Sequence, residues 1–123
     1  MAVVINSYAE LGAYIDSILK ANGDFPVGQP HKEFWNTLTY EEFKTGAVPN
    51  VLDPTTKQPM KILVVGDSSS SNLIWALTGK KGSLFDPQTG KIGQMPDGGT
   101  AFTPDQIKPI ADWIDAKCPN PVA

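Results

Sequence analysis

A single histidine, His31, and a single cysteine, Cys118, are the only imidazole and thiol in this chain of 123 residues. Cys118 has no partner for an internal disulfide or a multi-cysteine metal site. It stands near a helix C-terminus with only Lys117 as a basic neighbour, and that end of a helix disfavours a thiolate, so no reactive role is expected of it. Asp86, Gln94, Asp97 and Asp105 lie in or beside a glycine-rich stretch and could offer oxygens to calcium. No EF-hand and no repeated acidic spacing accompanies them, so they read as solvated loop polarity. Ser68 to Ser71 follow the apolar run KILVV, where a serine serves either as a nucleophile or as a helix cap.

The elements that would position these groups are mainly helical. Ser7 with Glu10 reads as a capping box, and Leu11, Ile15, Ile18 and Leu19 recur on one helical face until Asn22-Gly23. A turn of helix fits 31 to 36. Thr39 with Glu42 opens a short helix that Gly46 ends, and the serines at 68 to 71 cap another that carries Leu73, Ile74 and Leu77. Thr103-Pro104-Asp105-Gln106 combines an N-cap, a proline at the first helical position and a glutamine that closes the box. The pattern predicts helices over 7–22, 40–45, 70–78 and 104–117. Segments 50–59 and 79–102 read as loops, KILVV is too short to assign, strand content is expected near zero, and no internal repeat is evident. The fold class expected is therefore all-α and loop-rich, as one domain spanning 1–123. Leu11, Ile15 and Ile18 of the first helix are expected to pack against Ile107, Ile110 and Ile114 of the last.

Composition narrows the partners. The net charge of −3 and the absence of any run of basic residues argue against nucleic acid. No segment approaches the eighteen or so apolar residues of a membrane span, and the N-terminus carries no signal-peptide pattern, so a soluble chain is expected. Eleven glycines and eleven prolines enlarge the share of loop.

From Gly66 to Cys118 the chain reads GDSSSSNLIWALTG, then GQMPDGG, then FTPDQIKPIADWIDAKCP. This resembles the C-terminal half of class I c-type cytochromes of the bacterial kind. The resemblance implies a fold in which the N- and C-terminal helices cross, and it implies that Met95, followed by Pro96, stands where the family has an axial haem ligand. The family's other ligand is the histidine of a C-x-x-C-H motif. His31 stands in the corresponding region, NGDFPVGQPH, with Val27 and Pro30 where the cysteines would be, so covalent attachment is excluded. A His/Met pair is a sensible iron ligation set, which leaves His31 and Met95 as the cofactor-binding residues if haem binds noncovalently.

Without its cysteines, so small a fold has little apolar surface with which to enclose a porphyrin. Trp35, Trp75 and Trp113 either line a ligand pocket at that place or fill it themselves, and filling is the favoured reading. The expected function is a haem-free, cytochrome-c-like binding or interaction module for a partner protein or a small apolar ligand, with no catalytic residue and no metal. One alternative is an electron carrier with haem on His31 and Met95. Another follows from the likeness of KILVVGDSSSS to the nucleophile block of the GDSL esterases, with Ser68 as nucleophile, although the D-x-x-H of that family has no counterpart in Asp112-Trp113-Ile114-Asp115.

Overall fold

Local capping signals set the helix boundaries. In the computed structural model, which describes residues 4–23, 34–86, 88–95 and 101–120, Ser7 opens helix α1 (Tyr8–Asn22) by accepting the Glu10 backbone N–H on Oγ at 3.1 Å. The Glu10 carboxylate takes the Asn6 N–H rather than that of Ser7, so the cap is one-sided. Gly23 ends α1 in the left-handed conformation at φ 78°. Helix α2 (Phe34–Thr37) is one turn, and α3 (Tyr40–Thr45) begins with the complete Thr39/Glu42 box. The last helix, α5 (Pro104–Asp115), begins with the complete Thr103/Gln106 box and stops two residues short of its predicted end.

The expected all-α, cytochrome-c-like arrangement is not the one observed. An antiparallel pair of strands, β1 (Ala47–Leu52) and β2 (Pro59–Lys61), takes in both ends of the segment 50–59 that reads as loop, with an irregular register between Ala47↔Lys61 and Leu52↔Pro59. Pro49 and Asn50 are poor strand formers, which hid β1. Its pairing is secured by the turn: Asp53 Oδ1 accepts the N–H groups of Thr55 and Thr56 at 2.7 and 3.2 Å, and the Asp53 backbone exchanges hydrogen bonds with Lys57 and Gln58. The same device recurs at Asp86, whose Oδ1 accepts from Gln88 and Thr89 and whose carbonyl accepts from Gly90. The sequence D-P-x-T stands at both places, residues 53–56 and 86–89.

KILVV contributes only Lys61 to a strand; Ile62 and Leu63 continue as buried irregular backbone. Ser68–Ser70 form a 3-10 turn, and α4 (Asn72–Thr78) starts later than predicted. Ser71 precedes α4 without capping it through its side chain. Its fully buried Oγ instead accepts the Val64 N–H at 2.9 Å and donates to the Asp67 carbonyl at 2.8 Å, fastening the turn that leads into the helix.

One main core joins Leu11, Ile15 and Ile18 to Ile107, Ile110 and Ile114, with Phe34, Trp35, Phe43 and Trp113 between them. α4 lies close to α5 and α1 to α2, and the expected residues of α1 and α5 share this one core. Tyr14 of α1 reaches α5 by donating its hydroxyl to the Gln106 carbonyl at 2.8 Å. The aromatic rings form a chain: Phe34 stacks on Phe43 at 5.9 Å, and Phe43 meets Trp113 at 6.2 Å.

Candidate functional site

A second, smaller apolar cluster lies apart from the main core. Met60 of β2, Ala76 of α4 and Phe85 of the following loop are its buried members. Val51, Trp75, Leu84, Ile92 and Met95 pack against them and stay half-buried. The loop that carries Leu84 to Met95 is held by a closed set of bonds. Asp86 is buried, with Oδ2 accepting the Gly82 N–H at 2.9 Å and Oδ1 that of Gln88 at 2.8 Å, and these amides hold its carboxyl below the ordinary carboxylate value. Ile92 and Gly93 return to the Leu84 carbonyl, and the Met95 N–H donates to the Ala76 carbonyl at 2.8 Å. Gln94 Nε2 donates to the Leu77 carbonyl at 3.0 Å, close against Gly79, where a Cβ would come within 2.8 Å of the Gln94 side chain. Two thioethers and an indole thus meet on a scaffold fixed by backbone bonds.

Trp75 is oriented from both ends of its side chain. Its Nε1 donates to the Ser69 carbonyl at 2.8 Å, and the Lys80 ammonium lies 4.3 Å from the ring centroid.

The three tryptophans do not share a pocket. Trp113 is 1% exposed in the main core, with Nε1 donating to the Pro119 carbonyl, and Trp35 is buried there with Nε1 on Asp16 Oδ1 at 2.7 Å. Only Trp75 belongs to the second cluster. Of the two residues that the resemblance marks as haem ligands, Met95 packs against the second cluster, and His31 lies outside the described residues, as do Pro96 and Asp97. Among the described residues no group of three His, Cys, Asp or Glu side chains is placed to hold a metal ion.

The remaining candidates are engaged in structure. Ser68 donates its Oγ to Asp115 Oδ2 at 2.9 Å while its backbone N–H reaches Oδ1 at 2.8 Å, an acid–hydroxyl pair that ties the 3-10 turn to the end of α5. Cys118 is fully buried, and burial pushes its thiol up to about 11.

Sequence reading missed the second cluster because its members come from four segments with no common periodicity. The only legible signal was the apolar pair Met95 and Trp75. Comparison with protein-family models, with curated proteins and with solved structures returned no match.

Proposed function

We propose that this chain is a binding module that docks a partner through the half-open surface of the second cluster. The observation that carries this reading is the contrast between the two kinds of side chain described above. Among the described residues, several polar groups are held in structural bonds: Ser68 by Asp115, Asp86 by three backbone N–H groups, Asp16 by Trp35 and Asn36. Trp75, Met95, Val51, Leu84 and Ile92 remain half-open on a rigid frame. Methionine adapts its shape to a partner at low energetic cost, and an aromatic ring supplies a large contact area. Met95, which the cytochrome resemblance marks as an iron ligand, is on this reading used for contact rather than for coordination.

The test is titration with the neutral apolar fluorophore 1-aminoanthracene, followed by its emission. Saturable binding at one equivalent, lost in Met95→Asp but kept in a remote variant such as Lys108→Ala, is the expected result. No saturable binding, or binding indifferent to Met95→Asp, contradicts the reading. Haemin giving a low-spin Soret spectrum that Met95→Ala abolishes would favour the electron-carrier alternative instead.

A further inference from the structure

We propose that the second cluster receives an acidic, amphipathic segment of a partner protein, an inference that rests on the binding-module reading and names the chemistry of its occupant. The chain is acidic overall, yet its charges are unevenly placed. Residues 47–95, which build the hairpin, α4 and the long loop, hold five lysines against three aspartates, whereas the rest of the chain holds five lysines against ten acidic residues. Asp86, one of the three, is buried with its carboxylate turned onto N–H groups of its own loop, and Asp53 Oδ1 is turned onto those of its own turn.

The lysines adjoin the cluster. Lys80 lies over Trp75 with Lys81 next in the chain, and Lys91 precedes Ile92; all three are exposed. On the acidic side of the sequence, Lys44 pairs with Glu41 and Lys108 with Asp112. Among the described residues, Lys81 and Lys91 have no such carboxylate partner. An apolar surface bordered by unpaired ammonium groups is complementary to a partner that presents apolar side chains between carboxylates.

The distribution of the charges favours a chain over a small anion. These lysines stand on two segments, the end of α4 and the loop around Ile92, and successive acidic side chains of one partner segment can answer both. The chain contains no arginine, the residue whose planar fork best matches phosphate, which argues for carboxylates rather than phosphodiesters as the counter-charge.

The experiment is fluorescence anisotropy of a labelled peptide rich in glutamate and leucine, run beside the same peptide with glutamine for glutamate. The acidic peptide is expected to bind about tenfold more tightly at low salt, and the advantage is expected to shrink in high salt. The double variant Lys80→Glu/Lys81→Glu, and Lys81→Glu alone should the Lys80 contact with Trp75 prove structural, is expected to remove the advantage; Lys108→Glu is expected to keep it. Equal affinity for both peptides, or binding of neither while 1-aminoanthracene still occupies the wild-type surface, overturns the inference and leaves the binding-module reading standing. Tighter binding to phosphatidylglycerol vesicles or to a single-stranded oligonucleotide than to the acidic peptide also overturns it, by assigning the surface to phosphate.

Discussion

The Tyr40 hydroxyl donates to the Cys118 carbonyl at 2.5 Å, joining residues 78 positions apart in the chain. It is one of three such ties, for Tyr8 donates to the Leu38 carbonyl and Tyr14 to the Gln106 carbonyl, both at 2.8 Å. The chain has three tyrosines, and each fastens a distant backbone segment by its hydroxyl. At Cys118 the tie has a further use. Lys117 and Cys118 both adopt positive φ, 70° and 54°, a conformation that strains non-glycine residues, and Tyr40, Trp113 through Pro119, and Tyr8 through Asn120 hold the segment in place.

Tyr40→Phe is therefore expected to cost about 1 kcal/mol, with somewhat more if the Cys118 carbonyl is left without a donor. Urea denaturation of the variant against the wild type measures it; an unchanged midpoint would show that the tie contributes nothing.

The Cys118 thiol should be inert in the native state. Its pKa near 11 leaves little thiolate at pH 8, and the side chain has no exposure to solvent. Iodoacetamide labelling at pH 8 is expected to proceed only in denaturant, and rapid native labelling would contradict the packing around the α5 C-terminus.

Two tryptophans of different burial should respond differently to truncation. Trp35→Ala removes a ring buried in the main core together with its bond to Asp16, and is expected to cost about 3–5 kcal/mol. Trp75→Ala removes a half-buried ring from the second cluster and should cost clearly less, while abolishing the docking surface. Thermal unfolding of the two variants gives the order directly.

Asp86 makes the fold sensitive to acid. Its carboxyl is held below its ordinary value of 3.8, first by the Gly82 N–H and then by that of Gln88. A group depressed in the folded state stabilises fully above its unfolded pKa and loses that contribution as pH falls through the lower folded value. Stability should thus decline below about pH 4, and Asp86→Asn should flatten that decline while lowering stability at pH 7. An acid limb of equal slope in both proteins would mean that the loop is held by other bonds.

Gly12 marks where α2 comes close to α1. A Cβ there would stand 2.5 Å from Asn36 Oδ1 and 3.2 Å from the Trp35 carbonyl, and Asn36 is itself held by Asp16. Gly12→Ala is expected to destabilise by about 1–3 kcal/mol, the range for overpacking, even though alanine is the better helix former. A stabilised variant in chemical denaturation would contradict this contact.

What was legible in the sequence was local. The Thr39/Glu42 and Thr103/Gln106 boxes, Gly23 at the end of α1, and the apolar stripes of α1 and α5 all follow from bonds and spacings within a few residues. The hairpin was not, because Pro49 and Asn50 argue against a strand and only the Asp53 turn with the packing of Val51 and Met60 reverses that argument. The serines at 68 to 71 read as a helix cap, yet the buried Ser71 hydroxyl serves Val64 and Asp67, a choice made by burial rather than by propensity. The candidate site was legible only in part. Met95 and Trp75 were singled out, but grouping Trp75 with Trp35 and Trp113 required a vacated haem space, and the latter two rings instead fill the main core.

The three indole N–H groups give the most direct test of the docking surface, since each is bonded in a different place: Trp35 to Asp16, Trp113 to Pro119 and Trp75 to Ser69 beside the second cluster. In a nitrogen-15 correlation spectrum they supply three separate signals. Addition of the glutamate- and leucine-rich peptide is expected to move the Trp75 signal, with the other two left in place. Shifts confined to Trp35 or Trp113, or no shift at a peptide concentration that saturates binding, would contradict the account.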